Sequence, residues 1–240
     1  LFVPLVKISE TLPFIVSSAL CLVAWSLVFF VKNEKPAALA GDANQKGITR
    51  YKLAVKYGWV AFLPPFVYGF LESSLNALFP VYALRKDFEL TFVSIMLAGF
   101  SVGAIFMQFP LGMLGDKIGR RKVIISGLSL GGAVFLIGNF VEYSQMLVAT
   151  VFFVGGMCVG SMFSLGITYM ADLTPKELLP TGNLLCGIFF SLGSLSGPFL
   201  GGLYLEFFPN DGFLLLVGSM LVVVALIVTI FGKSKKAVVL

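Results

Sequence analysis

The chain has 240 residues, of which 58% are hydrophobic and 12% are charged, with a net charge of +5 and a mean hydropathy of +0.98. One soluble core cannot bury that much apolar surface, so we expect much of the chain to contact lipid. The absence of histidine excludes imidazole acid/base chemistry and histidine metal ligands. Cys21, Cys158 and Cys186 lie in apolar stretches at unrelated spacings, so the sequence predicts no disulfide framework, no metal site and no cofactor.

Seven apolar stretches are long enough to cross a membrane as helices. A stretch of roughly 18 residues or more, rising about 1.5 Å per residue, spans a hydrocarbon layer of about 30 Å. The stretches cover residues 13–31, 58–84, 92–114, 123–141, 146–170, 182–205 and 213–232. The sequence therefore predicts an all-α, polytopic membrane protein, a helical bundle with seven transmembrane helices.

The basic residues are distributed unevenly between the two sides that these helices define. If the first helix ends in the cytoplasm near Lys32 and the others alternate, only Lys7, Arg85 and Lys86 fall outside, which leaves 14 of the 17 Lys and Arg residues in cytoplasmic segments. Such an excess is the usual determinant of orientation. We expect a multi-pass protein of the cell membrane with its central linker and C-terminus in the cytoplasm. Because topology explains the positive charge, we expect no nucleic-acid partner.

A polar stretch over residues 33–56 separates one predicted helix from six. The connections within the six-helix block are short. The sequence therefore predicts four parts: a transmembrane helix within residues 1–32, a cytoplasmic linker over 33–56, a six-helix unit over 57–232 and a basic cytoplasmic tail over 233–240.

The segment from Gly112 to Lys122 carries five charges in eleven residues and joins two predicted helices. Its glycines permit a tight turn, and Asp116 is placed to cap the following helix. Arg120 and Arg121 offer cations to acids or to helix C-termini across a cleft. The simpler alternative is that the basic residues only anchor the topology. The segment fits the pattern G-x-x-x-D-[R/K]-x-G-R-[R/K] at Gly112, Asp116, Lys117, Gly119, Arg120 and Arg121.

This ordered pattern resembles the loop signature of the major facilitator superfamily of secondary transporters. The resemblance implies two six-helix halves that alternate access to a central site, with the loop implicated in locking one state through contacts between the halves. It also implies that residues 57–232 are the C-terminal half and that residues 1–32 hold the last helix of the N-terminal half. The alternative is that the six-helix unit over residues 57–232 is the N-terminal half of its protein. The helix before the linker and the uncharged helix 146–170 favour the C-terminal half, so we expect a longer protein and a missing N-terminal half.

Glu72 is the ionisable residue deepest inside a predicted span, about 14 residues or ~21 Å from the cytoplasmic start of its helix. An acid at that depth costs several kcal/mol unless it is paired, hydrated or protonated. It can exchange a proton or hold a cation, and Tyr68 and Asn76 lie on the same helix face. The alternative is a structural acid that is bonded to a neighbouring helix or lies higher in the outer vestibule. In the family, the first and fourth helices of each half line the cavity, which matches 58–84 and 146–170.

Two further groups of residues have expected roles near this predicted cavity. Gln108 either lines its cytoplasmic mouth or bonds the backbone that Pro110 leaves free. Gly193, Gly197 and Gly201 repeat every four residues and indicate a face for close helix packing. With Pro198 and Gly202 they resemble an element of the family's fifth helix that is associated with antiport in exporters, although the upstream spacing departs from that element, and packing is the favoured role.

These observations predict a secondary transporter that moves a small molecule by alternating access, favouring proton-coupled efflux of a drug or metabolite. The expected partners are the substrate, protons, the lipid bilayer and the missing N-terminal half. The alternative is an intramembrane binding or assembly protein that retains the fold without transport. An integral membrane enzyme is disfavoured, because the sequence shows no histidine and no cluster of acids within the predicted spans.

Overall fold

The computed structural model describes residues 11–30, 47–208 and 212–233, and within these ranges the regular elements are helices. The chain divides into two compact units, Leu1–Ala43 and Asn44–Leu240. The described part of the first unit is a 17-residue apolar helix, α1 (Leu12–Val28). Most of the predicted linker and tail, residues 33–46 and 234–240, lies outside the described residues.

The described part of the second unit begins with a helix that lies mostly inside the predicted linker and ends two residues beyond it. This helix, α2, is followed directly by a short 3₁₀ turn, Trp59–Phe62. The α-helices of the unit are α2 (Gly47–Gly58), α3 (Leu63–Ala77), α4 (Phe79–Arg85), α5 (Leu90–Ile118), α6 (Arg120–Gly138), α7 (Gln145–Val159), α8 (Met162–Leu173), α9 (Leu179–Phe207) and α10 (Phe213–Phe231).

The predicted fold class is confirmed: the chain is an all-α membrane-type bundle. Within the described ranges, five helical stretches are long and apolar enough to cross a membrane. They are Leu90–Ile118, Arg120–Val141, Gln145–Leu173, Lys176–Phe207 and Phe213–Phe231. Two of the seven predicted spans differ from this description. The first apolar stretch forms a shorter helix, and the second, residues 58–84, is divided.

The division of residues 58–84 has a local cause. The helix α3 ends at Ala77, and α4 begins at Phe79 with Pro80 in its first turn. A proline has no backbone N–H and its ring clashes with the preceding turn, so an uninterrupted helix through Pro80 is disfavoured. The stretch is therefore a 3₁₀ turn, a helix of 15 residues and a helix of seven.

Glycines allow the backbone of α9 to approach α3 closely. A Cβ on Gly193 would collide with the Phe66 carbonyl oxygen, and one on Gly197 would collide with the Phe70 carbonyl oxygen. Small residues permit such contacts between membrane helices. The first two positions of the predicted packing face therefore lie against α3.

The remaining positions of that predicted face behave differently. Gly201 lies against Leu78, and Pro198 lies inside α9 without interrupting it. Gly202 departs from the packing prediction, because nothing lies within 4 Å of the place where its Cβ would be. The physical reason is the helical repeat, since the residue after Gly201 is turned by about 100° away from the contact.

Buried aromatic rings hold together the end of the bundle opposite the hairpin. Phe79 of α4 lies 4.4 Å from Phe152 of α7 and 6.2 Å from Phe213 of α10, measured between ring centroids. All three side chains are buried. Large apolar side chains on the outside, such as Phe199 of α9 and Phe106 of α5, remain exposed, as expected where a helix faces lipid or another part of the protein.

Candidate functional site

A cavity of about 310 Å³ contains all four polar residues that the sequence assigned to a proton or substrate site. Tyr68, Glu72 and Asn76 line it from successive turns of α3, and Gln108 lines it from α5. The other lining residues are Leu75, Leu97, Phe100, Ser101, Ala104, Ile105, Gly160, Phe163 and Ser164. The structure thus brings these four residues together; their functional roles remain predictions.

Glu72 is the charged member of this lining, with no Lys, Arg or Asp beside it among the described residues. Its side chain is half-buried. Asn76 Nδ2 donates a hydrogen bond of 2.8 Å to the backbone carbonyl of Glu72, so the amide does not bind the carboxylate. In the described part of the chain, no hydrogen bond or ion pair joins the Glu72 carboxylate to a neighbouring helix.

Aromatic side chains form the wall beside Glu72. The ring of Tyr68 stacks on Phe190 with centroids 6.3 Å apart, and Phe163 meets Phe190 edge-on at 5.2 Å. Phe100 of α5 also lines the cavity. The wall therefore combines these aromatic rings with one carboxylate.

Sequence reasoning placed the lining on the first and fourth helices of the half and, as one alternative, Gln108 of α5 at its mouth; the structure adds further residues of α5. Ser101 and Phe100 enter the cavity from that helix, and none of the predictions included them. Phe163 and Ser164 were also missed. They follow a break in the fifth apolar stretch, residues 146–170, where α7 ends at Val159 and α8 begins at Met162. The sequence signal for this break is Gly160, one of several small residues in the stretch.

A second cavity of about 130 Å³ connects the first to the predicted gating hairpin. It shares Gln108 and Ser164 with the first cavity and reaches Asp116 and Arg120. Ser161 also lines it; its Oγ atom is buried without a hydrogen-bond partner in the described structure. The other lining residues are Gly112, Leu165 and Thr168. A row of polar side chains therefore runs from the neighbourhood of Glu72 to the hairpin.

The hairpin turns at Gly119, between α5 and α6. Its φ angle is +97°, a conformation that side-chain-bearing residues rarely adopt, which explains the need for glycine. The prediction that Asp116 caps α6 is wrong, because that helix has no side-chain cap and Asp116 still belongs to α5. Its Oδ1 atom instead lies 3.0 Å from Arg120 Nη2. Lys117 is exposed.

The two hairpin arginines bind other helices of the same unit. Arg120 Nη1 lies 2.9 Å from Asp172 Oδ1 and donates to the Thr168 carbonyl at 2.8 Å, so it joins the hairpin to the end of α8. Arg121 Nη2 donates to the Thr229 carbonyl of α10 at 2.6 Å. Sequence reasoning expected an acid and a helix C-terminus as partners but did not identify Asp172.

A second ionic cluster lies at the opposite end of the bundle. The Tyr82 hydroxyl donates a hydrogen bond of 2.6 Å to Glu142 Oε2, and Lys86 Nζ lies 3.5 Å from the same oxygen. The cluster joins α4 to the turn between α6 and α7. Sequence reasoning assigned it no role.

Comparison with known proteins gives the class to which this helical bundle belongs. Residues 61–238 match the profile of the Major Facilitator Superfamily. The chain belongs to this family, as the hairpin pattern predicted, and is a multi-pass membrane protein of a transporter family.

Individual relatives support the same assignment. The chain is 50% identical over 209 residues to the uncharacterized MFS-type transporter YfkF of Bacillus subtilis, covering 87% of this chain and 53% of that protein. It is 26% identical over 189 residues to the 4-hydroxybenzoate transporter PcaK of Pseudomonas aeruginosa, covering 75% and 41%. It is 23% identical over 152 residues to the uncharacterized MFS-type transporter YcaD of Escherichia coli, covering 63% and 39%. The chain spans about half the length of these curated relatives, or less.

Proposed function

We propose that the complete protein is a proton-coupled secondary transporter that exports a small, partly apolar molecule, with Glu72 as the coupling acid. The observation that carries this proposal is the position of Glu72 in the aromatic cavity, without a protein partner for its carboxylate in the described structure. A half-buried carboxylate without a partner must be hydrated, protonated or bound to a cation. The Glu72 carboxylate can therefore gain and lose a proton or a bound cation during a transport cycle.

Antiport follows if protonation of Glu72 and substrate binding oppose each other. A substrate that prefers the ionised carboxylate leaves when a proton arrives, and proton release restores the site. The lining of Tyr68, Phe100 and Phe163 suits a molecule with an apolar body. The related 4-hydroxybenzoate transporter adds no substrate assignment here, since an anion would find no basic side chain among the described lining residues.

The hairpin is the proposed gate of this transporter. Asp116 and Arg120 line the second cavity together with Gln108. A rearrangement of the hairpin would therefore change the shape of the second cavity at its hairpin end. The bonds of Arg120 to α8 and of Arg121 to α10 hold the hairpin in the described arrangement. We place this end of the bundle in the cytoplasm, following the distribution of basic residues.

The test is transport by the complete protein in proteoliposomes, with and without an imposed pH gradient, while the internal pH is recorded. Glu72→Gln imitates the protonated side chain. We expect it to bind and exchange substrate but to lose accumulation driven by the gradient, whereas Glu72→Asp retains part of the coupling. Glu206→Gln, which neutralises an exposed acid on α9 outside the cavity, is the matched control and should transport as the wild type does.

The outcomes separate this proposal from its alternatives. Full accumulation by Glu72→Gln would place the coupling proton on another residue, such as an acid of the missing half. A wild-type protein that binds ligand but moves neither substrate nor protons would support the non-transporting binding or assembly protein.

A further inference from the structure

The helix α2, which the sequence analysis treated as linker, has a basic composition and one face bound to the bundle. Its twelve residues include Arg50, Lys52 and Lys56 and no acidic residue. Ala54 is fully buried, and Gly58 lies beside Leu173 and Thr174 at the end of α8. The face of α2 that carries Ala54 and Gly58 therefore packs against the bundle, and the opposite face of this helix points away from it.

The opposite face of α2 combines positive charge with exposed apolar groups. Lys52 and Lys56 are four residues apart, lie on the same face and are exposed. Ile48 of the same helix is 71% exposed, and Val55 is 38% exposed. Exposed aliphatic side chains between lysines are typical of a helix that lies in the membrane interface.

The end of α2 lies level with one end of a membrane-spanning helix. The ring of Trp59, just after α2, is 5.7 Å from that of Phe231, the last residue of α10. Tyr57 and Trp59 are both partly exposed, at 41% each. Tyrosine and tryptophan concentrate at the headgroup level of bilayers, because their rings are apolar and carry one polar group.

A small cleft of about 20 Å³ at this level is lined by two basic residues. Lys56 of α2 and Lys233, which follows α10, both line it, together with Tyr57, Trp59 and Phe231. The lining contains no acidic residue in the described structure. Its charge therefore complements an anion placed at the end of the membrane-spanning helices.

We propose that the exposed face of α2 and this cleft form a docking surface for anionic phospholipid headgroups. The ammonium groups of Lys52, Lys56 and Lys233 bind the headgroup phosphates, and Tyr57 and Trp59 lie at the boundary with the acyl chains. Juxtamembrane lysines favour anionic over zwitterionic lipids. This surface lies at the hairpin end of the bundle and is separate from the proposed transport site at Glu72.

The experiment uses the complete protein in vesicles of phosphatidylcholine that contain a fixed fraction of brominated phosphatidylglycerol or, for comparison, brominated phosphatidylcholine. Bromine quenches nearby tryptophan, and subtracting the emission of Trp59→Phe isolates the signal of Trp59. We expect quenching by the anionic lipid to exceed quenching by the zwitterionic lipid about twofold or more, and this ratio to fall at high salt. Lys52→Gln/Lys56→Gln should bring the ratio close to one.

Two matched variants make this test specific. Lys52→Arg/Lys56→Arg preserves both charges and should keep the ratio. Lys117→Gln/Lys122→Gln removes two exposed charges from the hairpin, at the same end of the bundle, and should also keep it. A ratio of one in the wild type, an unchanged ratio in Lys52→Gln/Lys56→Gln, or an equal loss in the hairpin control would overturn the proposal. Absence of quenching by both lipids would also overturn it and would indicate that another part of the complete protein covers α2.

Discussion

Arg120 forms an ion pair with Asp172, with 2.9 Å between Nη1 and Oδ1, and thereby joins the turn after α5 to the end of α8. The Asp172 side chain is 15% exposed, whereas that of Asp116, the second acid bound to Arg120, is 69% exposed. The two ion pairs of this arginine therefore lie in different surroundings. Water screens the Asp116 pair strongly and the Asp172 pair much less.

We predict that the two acids differ in their contribution to stability. Arg120→Ala should lower the free energy of unfolding by about 3 kcal/mol, because it leaves the Asp172 carboxylate without this partner in a largely buried position. Asp116→Asn should change it by less than about 1 kcal/mol, because an exposed ion pair contributes little. Thermal unfolding of the purified protein measures both. Because Arg120→Ala removes both ion pairs, equal losses would show that the pair with Asp172 adds nothing measurable to stability.

The same variants test the proposed gate. Asp116→Asn should lower the transport rate while the amount of protein in the membrane stays near normal, because it alters the balance of two states more than the fold. Arg120→Ala should also lower the rate, but with a loss of stability that the sequence alone did not predict. If both variants transport at the wild-type rate, the hairpin does not act as a gate and its basic residues serve only to anchor the topology.

The sequence was sufficient to predict the bundle, the hairpin and the cluster around Glu72, and each has a local signal. Helical periodicity places Tyr68, Glu72 and Asn76 on one face of α3 without any knowledge of tertiary structure. The partner helix was harder to predict. Phe100 and Ser101 belong to a helix with no distinctive polar pattern, and only the packed structure shows which of its faces lines the cavity.

Other features depended on contacts between residues far apart in the chain. Asp172 was visible in the sequence, but its pairing with Arg120 across 52 positions requires the packed helices. The helix α2 was hidden because lysines and a polar neighbourhood suggested a linker, and its stability comes from the burial of Ala54 against the bundle.

The predicted orientation can be tested by labelling introduced cysteines, after Cys21, the exposed native cysteine in the described structure, is replaced by serine. A cysteine at position 117 should react with reagent admitted from the cytoplasm, and one at 89 with reagent from outside. Position 89 is preferable to Asp87, whose φ of +58° disfavours substitution. Position 42, in the predicted linker, should react from the cytoplasm. Labelling of 42 or 117 from outside would contradict the orientation.

Two glycines of α9 provide a matched test of helix packing. Gly193→Ala should lower stability by about 2 kcal/mol, because the added Cβ collides with the backbone of α3. Gly202→Ala adds the same group in open space and should be neutral or raise stability by up to about 1 kcal/mol, since alanine favours helix. Thermal unfolding and the amount of protein in the membrane report both effects. A destabilised Gly202→Ala variant would contradict the open space at this position and would indicate that something else packs there.

The last prediction concerns the hydrogen bond between Tyr82 and Glu142 at the end opposite the hairpin. The Tyr82 side chain is 2% exposed and its hydroxyl donates at 2.6 Å to a carboxylate oxygen, a short bond to a charged acceptor. Tyr82→Phe keeps the ring against Phe213 but removes this donor, so it should lower the free energy of unfolding by about 2 kcal/mol. Lys86→Gln should lower it by less than about 1 kcal/mol, because the lysine is 36% exposed and lies 3.5 Å away.

The control for this prediction is Tyr143→Phe, which removes the hydroxyl of a tyrosine that is 83% exposed and next to Glu142 in the chain. It should leave the unfolding temperature unchanged, because this hydroxyl makes no hydrogen bond to the described part of the protein. If Tyr82→Phe and this control are equally stable, the hydrogen bond between Tyr82 and Glu142 makes no measurable contribution to stability. A larger loss in Lys86→Gln than in Tyr82→Phe would mean that the ion pair, and not the hydroxyl, holds α4 to the turn between α6 and α7.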